Sequence, residues 1–193
     1  MRRRHDGWAR AVALGALLAA LAGAVQAPAA EYFVAVNGSD ASAGTMAAPF
    51  ASVARGQQAA APGDTVWIRG GVYEFTGTSA DIGVLFSKSG APNSRINYWA
   101  FPGETPAFDF FNLQTTARIR GFSVRADWLH FRGLELRGVQ QTITNVNESW
   151  GIRIENGADN NVFETLNLHH NEGPGLFIAD GANNLVLNSD SHH

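Results

Sequence analysis

The sequence predicts an all-β chain whose short strands stack as a β-solenoid, and three observations support this prediction. Residues 160–170 and 183–193 repeat one another with an offset of 23 residues, and a fixed period in the twenties is typical of solenoid proteins. The chain has 21 glycines against 7 prolines, with Asn and Asp between short apolar alternations, which favours strands and tight bends over long helices. Hydrophobic residues make up 45% of the 193 residues, so the chain can form a core.

Residues 1–30 differ in composition from the remainder of the chain. Arginine occupies positions 2–4, residues 11–25 are apolar, and small residues follow at positions 27–30. This order is typical of a secretory signal peptide, and the apolar run is too short to span a bilayer well. We therefore predict a secreted, extracellular protein that has no membrane contact once the signal is cleaved. An amino-terminal membrane anchor is the alternative.

The predicted mature chain is acidic and contains no cysteine. Cleavage removes four arginines (positions 2, 3, 4 and 10) and Asp6, which changes the formal net charge from −3 to −6. An acidic surface argues against a nucleic-acid partner, and it repels an acidic polysaccharide unless a divalent cation lies between them. Without disulfides, a secreted chain of this kind depends on packing and backbone pairing for stability.

The mature chain opens with a strand at residues 32–36, a predicted helix at residues 52–61 and a second strand at residues 65–69. Ser52 is a suitable N-cap, and Pro62-Gly63-Asp64 ends the helix. Val53 and Ala60 face inward in this helix. We predict that it covers the first coil of the solenoid, whose inner face needs a cap. The alternative is a plain β-α-β opening.

Three coils begin with a glycine and two alternating apolar residues, at Gly121, Gly151 and Gly175. Each coil has a second strand, and Ile96, Tyr98 and Ala100 occupy one face of an earlier strand. The predicted inward residues are Phe122, Val124, Phe131, Leu134 and Leu136, then Ile152, Ile154, Phe163, Leu166 and Leu168, and finally Leu176, Ile178, Val186, Ser189 and Ser191.

Polar residues also recur at equivalent positions of these coils. Glu135, Asn167 and Asp190 fall between inward residues, so we predict a solvent-facing column. Asparagine pairs at 160–161 and 183–184 precede the second strand, where a bend favours a residue that tolerates positive φ. The coil starts are 30 and 24 residues apart, and the excess lies in the polar loop at 140–150. Loops of this kind often build binding grooves.

Several segments resemble right-handed parallel β-helix polysaccharide lyases, across the whole mature chain. The resemblance is carried by YFVAVNGSD (32–40), Gly44-Thr45, APF (48–50), PGDTVWIRGGVY (62–73) and YWAFPGE (98–104). The closing NSDSHH (188–193) is similar to the segment that carries the first calcium-binding aspartate in family nine of the pectate lyases. The opening motif is shared by β-helix proteins of several activities.

The resemblance implies β-elimination on a uronate polymer such as pectate. Ca²⁺ would hold the acidic sugars, with Asp190 as its first ligand, and a lysine would remove the proton α to the carboxylate. The remaining aspartates and this lysine are expected beyond His193, because Lys88, the one lysine of the chain, lies in an early coil. Residues 31–193 are then the cap and first coils of a truncated β-helix. We expect this fragment to be inactive alone, and the full-length enzyme to be a monomer.

Two other function classes remain open from the residues themselves. A β-helix glycoside hydrolase needs two carboxylates roughly 5 to 9.5 Å apart, for which Glu135 with Asp190 is a candidate pair and Glu164 or Glu172 are substitutes. A non-catalytic carbohydrate-binding solenoid needs exposed aromatic and amide groups. Trp128, Trp150 and Gln140-Gln141 are the candidates for this role.

The histidines give a further, weaker signal. His169 and His170 precede His192 and His193 by the 23-residue offset, which is compatible with a metal or sugar site. We interpret them instead as stacked like residues, because neighbours on a strand point to opposite faces and only one of each pair can share a site. His130 has no visible partner in the sequence.

Overall fold

A computed structural model describes residues 28–114, 117–141 and 149–192. Residues 1–27, which hold most of the predicted signal peptide, lie outside the described residues. In chain order the elements are β1 (Glu31–Val34), α1 (Val53–Ala59), β2 (Thr65–Ile68), β3 (Gly71–Glu74), β4 (Ile82–Phe86), β5 (Ile96–Ala100), β6 (Pro106–Asp109), β7 (Arg120–Val124), β8 (Leu129–Arg132), β9 (Glu135–Arg137), β10 (Trp150–Ile154), β11 (Val162–Glu164), β12 (Asn167–His169), β13 (Leu176–Ile178), β14 (Leu185–Leu187) and β15 (Asp190–His192). Within the described ranges, no helix is long and apolar enough to cross a bilayer.

The strands form three sheets, and the strand pairs within them are parallel. The six-stranded sheet has the order β1-β2-β5-β8-β11-β14, the four-stranded sheet β4-β7-β10-β13 and the five-stranded sheet β3-β6-β9-β12-β15. From β4 onward each coil contributes one strand to each sheet, and each strand pairs with its counterpart in the next coil. The predicted all-β solenoid of parallel strands is confirmed.

Each predicted second strand proves to be two strands that belong to different sheets. The chain bends between them at Gly133, Thr165 and Asn188, whose φ angles are 72°, 54° and 45°. A single residue in the left-handed region turns the chain sharply enough to leave the six-stranded sheet and enter the five-stranded one. The coil is therefore three-sided.

The predicted inward residues of the first two coils form the core. Phe131 stacks on Tyr98 below it (ring centroids 5.4 Å apart) and on Phe163 above it (5.1 Å). In the last coil, by contrast, Ile178 is 43% exposed and Val186 is 44% exposed. The apolar stack thus continues to the top of the described coils and remains open to solvent there.

The glycines that open the coils lie one above the other in the four-stranded sheet. A Cβ atom on Gly121 would lie 2.5 Å from the carbonyl oxygen of Gly151, and one on Gly151 would lie 2.5 Å from that of Gly175. No side chain fits between backbones at this distance. The repeated glycine is required by the stacking of successive coils.

Asparagines join the coils at the bends before the six-stranded sheet. Asn160 and Asn183 have φ angles of 60° and 58°, as the sequence predicts. The Oδ1 atom of buried Asn161 accepts a hydrogen bond from the backbone N–H of Leu129 (2.8 Å). The backbone N–H of Asn161 donates to Oδ1 of Asn184 (3.0 Å). The predicted bends are confirmed, and Asn161 and Asn184 in addition link neighbouring coils.

The short helix α1 covers the first coil, as predicted, but it ends at Ala59 because Ala60 is already extended (ψ 144°). The hydroxyl of Ser52 caps the helix by accepting a hydrogen bond from the Arg55 N–H (3.1 Å). Val53 is 4% exposed and Ala60 is fully buried. Gly56 permits the close approach, since a Cβ atom there would lie 2.8 Å from Cγ1 of Val66.

Candidate functional site

The outer face of the five-stranded sheet carries two columns of polar side chains, which we call the polar columns. The register places Glu135, Asn167 and Asp190 in one column, as the sequence predicts. The second column follows two residues later on each strand, because alternate residues share a face. It contains Asp109, Arg137, His169 and His192.

Arg137 joins the two columns through its guanidinium group. Its Nε donates to Oδ2 of Asp109 (2.9 Å) and its Nη1 donates to Oε1 of Glu135 (2.9 Å). The hydrogen bond to Asp109 is the main reason that the pKa of Arg137 lies above its ordinary value. Nε2 of His169 lies 3.1 Å from the same Glu135 oxygen. The guanidinium is thus held in one orientation on the sheet surface.

The histidine prediction is partly wrong. His169 stacks on His192 as expected, with ring centroids 5.4 Å apart and planes 12° apart. His170 does not point to the opposite face, because its φ of 52° ends the strand and brings its Nδ1 against Nδ1 of His169. His193 lies outside the described residues. His130, for which the sequence shows no partner, lies with Nε2 2.9 Å from Oε2 of Glu164.

A pocket of about 610 Å³ opens where β6, β9 and β12 end. We call it the Arg137 pocket. Its lining includes Asp109, Phe111, Arg137, Gln140, His170 and Glu172. The ring of Phe111 is 56% exposed, and Oε2 of Glu172 accepts a hydrogen bond from the Gln141 N–H (2.7 Å). An exposed aromatic face beside a guanidinium and an amide can bind a sugar ring together with its polar substituents.

The Arg137 pocket was missed from the sequence, although one signal was available. The sequence alternates Phe108, Asp109 and Phe110, which predicts that Phe111 points outward with Asp109, where an aromatic residue is unusual. In the structure Phe110 is buried and Phe111 is exposed. The predicted groove-forming loop lies beside this pocket, since Gln140 lines it. Residues 142–148 of that loop lie outside the described residues.

Asp190, the predicted calcium ligand, lies exposed at the start of β15. Its column neighbours are the Asn167 amide and the Glu135 carboxylate, and the latter is bound by Arg137. Across the described ranges, no group of three or more His, Asp and Glu side chains is arranged to hold a metal ion. Calcium takes six to eight oxygen ligands, so these residues do not by themselves fit a calcium site.

The carboxylates proposed for a hydrolase lie in different surroundings. Glu135 is bound to Arg137 and contacts His169. Glu164 lies on the six-stranded sheet, facing His130. Glu172 does reach the Arg137 pocket. Lys88 lies after β4, and its ammonium donates to the carbonyl of Gln58 in the cap helix (3.1 Å). It has a structural contact there and is not merely a solvated charge.

Trp150, a candidate sugar contact under the carbohydrate-binding alternative, is 4% exposed. It is covered by Phe177 and by the Arg153 guanidinium, 4.1 Å from its ring centroid. Nearby, Glu155 accepts hydrogen bonds from Ser123 (2.6 Å) and Arg125 (2.9 Å). Burial acts to raise the pKa of Glu155, but these bonds outweigh it and the pKa lies below its ordinary value. This cluster ties neighbouring coils of the four-stranded sheet together.

Comparison with known proteins identifies the family. The family model described as the Pel9A-like right-handed β-helix region matches residues 32–193. The chain belongs to this family. The parallel coils described above are accordingly those of a right-handed β-helix, and the family resemblance of the sequence is confirmed.

Similar proteins are named as pectate lyases or as a rhamnogalacturonan lyase. A pectate lyase L of Paenibacillus polymyxa is 32% identical over 142 residues, which is 68% of this chain and 29% of that protein. A solved rhamnogalacturonan lyase superposes with a TM-score of 0.78 at 32% identity, covering 83% of this chain and 41% of the other. Pectate lyase Pel9A superposes with a TM-score of 0.69 at 30% identity, covering 83% and 39%. The chain therefore spans less than half the length of these relatives.

Proposed function

We propose that this chain is the amino-terminal part of a secreted polysaccharide lyase that cleaves a uronate polymer such as pectate by β-elimination. Relatives named pectate lyase, at about the same level of identity as a solved rhamnogalacturonan lyase, support the reaction class. The observation that carries the placement of substrate is the Arg137 pocket at the end of the polar columns, because it combines an exposed aromatic side chain with amide, imidazole and guanidinium groups.

Each side chain of the pocket has a distinct part in this proposal. Phe111 stacks on the face of a sugar ring, where its C–H groups are apolar. Arg137, oriented by Asp109 and Glu135, donates to an oxygen of a uronate unit through the guanidinium N–H groups that these two carboxylates do not use. Gln140 and His170 hydrogen-bond to the ring hydroxyls. The pocket would thereby orient the polymer along the five-stranded sheet.

The proton-abstracting base is proposed to lie in coils that follow His193. Lys88 does not serve, because its ammonium is bound to the cap helix and it lies between β4 and β5, whereas the polar columns lie on the five-stranded sheet. The exposed apolar stack of the last described coil supports the presence of further coils, as does the greater length of the relatives. Calcium belongs to the same proposal: Asp190 would supply one oxygen ligand and the later coils the others.

The proposal is tested with this chain and with a natural protein that extends beyond it. Appearance of unsaturated uronate, followed by ultraviolet absorbance, reports β-elimination. We expect the extended protein to show activity that EDTA removes, and this chain alone to show none. Calcium-dependent lyase activity of the 193-residue chain itself would contradict the placement of the base, and hydrolytic products without unsaturation would contradict the reaction class.

The substrate contacts are tested by binding of oligogalacturonate to this chain. Phe111→Ala and Arg137→Gln are each expected to weaken binding about tenfold, since each removes roughly 1–2 kcal/mol of contact. Met46→Ala is the matched control for Phe111, because Met46 is 54% exposed but lies far away in the chain's opening loop. Arg55→Gln, on α1, is the control for Arg137. Equal binding by all four variants would contradict the pocket.

A rhamnogalacturonan substrate is a second candidate, and one observation favours it. The solved rhamnogalacturonan lyase superposes with a higher TM-score, 0.78, than pectate lyase Pel9A, 0.69. Oligosaccharides of each polymer distinguish the two candidates in the same binding assay. If the extended protein binds these oligosaccharides but shows no lyase activity, the hypothesis of a non-catalytic carbohydrate-binding protein is favoured instead.

A further inference from the structure

A second pocket lies on a different face of the molecule, the outer face of the six-stranded sheet near the starts of β2 and β5. We call it the Arg95 pocket. Its volume is about 570 Å³, within the range of small-molecule sites. The bends at Gly133 and Thr165 separate this face from the polar columns. Its lining includes Asn93, Ser94, Arg95, Asn97 and His130.

The lining of the Arg95 pocket is polar and positively charged. Of the described residues that line it, none is a carboxylate. Nε of Arg95 donates to the carbonyl of Asn160 (3.3 Å), and its guanidinium lies 5.3 Å from the ring centroid of Trp128. These contacts orient the side chain while its charge, within the described part of the chain, is not neutralised by an ion pair. A fixed guanidinium of this kind binds carboxylates well.

His130 forms the far wall of the pocket. Its Nε2 lies 2.9 Å from Glu164, and its ring packs edge-on against Trp99 with centroids 5.2 Å apart. Burial lowers the pKa of His130, the contact with Glu164 opposes this, and the nearby charges of Arg132 and Arg95 lower it further. Arg95 therefore lies close enough to His130 for its charge to act on the imidazole. When Nε2–H donates to Glu164, Nδ1 remains as an acceptor for a hydroxyl.

We propose that the Arg95 pocket is a second binding site for an acidic sugar unit of the polysaccharide, separate from the Arg137 pocket. Arg95 donates to the sugar carboxylate, while Asn97 and His130 hydrogen-bond to its hydroxyls. The choice of a uronate rests on the proposed function, whereas the positive pocket rests on these residues alone. Two sites on one chain raise the local concentration of a polymer and hold it more tightly than either site alone.

The test is a titration of this chain with trigalacturonate in EDTA, followed by calorimetry and by the NMR signal of the His130 ring. The NMR signal reports the Arg95 pocket specifically. We expect Arg95→Gln to weaken the response of that signal at least about tenfold, because it removes the charge that binds the carboxylate. Asn97→Asp should also weaken the response of that signal, because it adds a negative charge to the pocket. This substitution is isosteric and leaves the contacts of Arg95 in place. Arg137→Gln should leave the His130 response unchanged.

The outcomes separate this inference from the proposed function. An unchanged His130 response in Asn97→Asp and Arg95→Gln would overturn the second site, while the Arg137 pocket would stand or fall on its own variants. A neutral galactose trimer that binds as well as trigalacturonate would overturn the acidic assignment. Inorganic phosphate that binds equally tightly would show a site for small anions only and would overturn the sugar assignment.

Discussion

At the scale of single residues, Thr165 is the clearest case of backbone strain in the described chain. It occupies the bend between β11 and β12 with a φ of 54°, which a β-branched residue adopts at a cost of about 1–3 kcal/mol. The equivalent bend in the preceding coil is made by Gly133, with a φ of 72°. Thr165 is exposed, so its side chain contributes little packing to offset the strain.

We therefore predict that Thr165→Gly raises the free energy of unfolding by about 0.5–1 kcal/mol, the relief of strain less the extra entropy of an unfolded glycine. Urea unfolding followed by circular dichroism measures this. The reverse substitution, Gly133→Ala, should lower stability, since its Cβ atom would also lie 3.1 Å from Cβ of Ala100. A loss of stability in Thr165→Gly would show that the Thr165 side chain stabilises the fold by more than its backbone strain destabilises it.

His130 leads to a prediction about pH. Burial, only partly opposed by Glu164, lowers its pKa below the ordinary value of 6.5. The unfolded chain therefore binds the proton more readily than the folded one, and the contribution of His130 to stability is present above that value and lost as the pH falls through the folded pKa. NMR titration should place the His130 midpoint below 6.5, and Glu164→Gln should move it lower still. A midpoint above 6.5 would contradict the dominance of burial.

At the scale of elements, the glycine column of the four-stranded sheet sets how closely the coils can stack. We predict that Gly151→Ala costs about 2–4 kcal/mol, because its Cβ atom would lie 2.5 Å from a carbonyl oxygen that cannot move without separating β10 from β13. Gly157→Ala is the comparison, since no atom lies within 4 Å of the added Cβ and only its φ of 70° is unfavourable. We expect that variant to lose about 1 kcal/mol. Equal losses in thermal unfolding would show that close stacking is not the cause.

At the scale of the whole molecule, the features predicted from the sequence are those that repeat with the coil. Gly121 and Gly151, or Asn161 and Asn184, occupy equivalent positions of successive coils, and parallel stacking brings such positions into contact. The Arg137 pocket could not be predicted in this way. It depends on the side chains that follow β6, β9 and β12, namely Phe111, Gln140 and His170, which differ from coil to coil. The backbone does repeat there, since Gly138 and His170 both have a left-handed φ directly after their strands (77° and 52°).

The open top of the described stack is expected to promote self-association of this chain. The inward residue Val186 continues the column of Phe131 and Phe163 but is 44% exposed, and the edge of β14 presents unpaired backbone groups there. Such an open apolar edge favours self-association. Val186→Lys should therefore reduce association of this chain in sedimentation velocity, because a charge at the edge opposes pairing with another copy.

In a natural protein that extends beyond His193, the same substitution should destabilise the fold. There, in our proposal, a further coil covers position 186, so Val186→Lys would bury a charge and lower the free energy of unfolding by at least about 2–3 kcal/mol. The unmodified extended protein should be a monomer. Leu187→Lys is the control, since Leu187 points outward in the same strand and its substitution should leave the extended protein folded and stable. If Val186→Lys is tolerated as well as Leu187→Lys, the apolar column ends at β14 and the proposed further coils do not stack upon it.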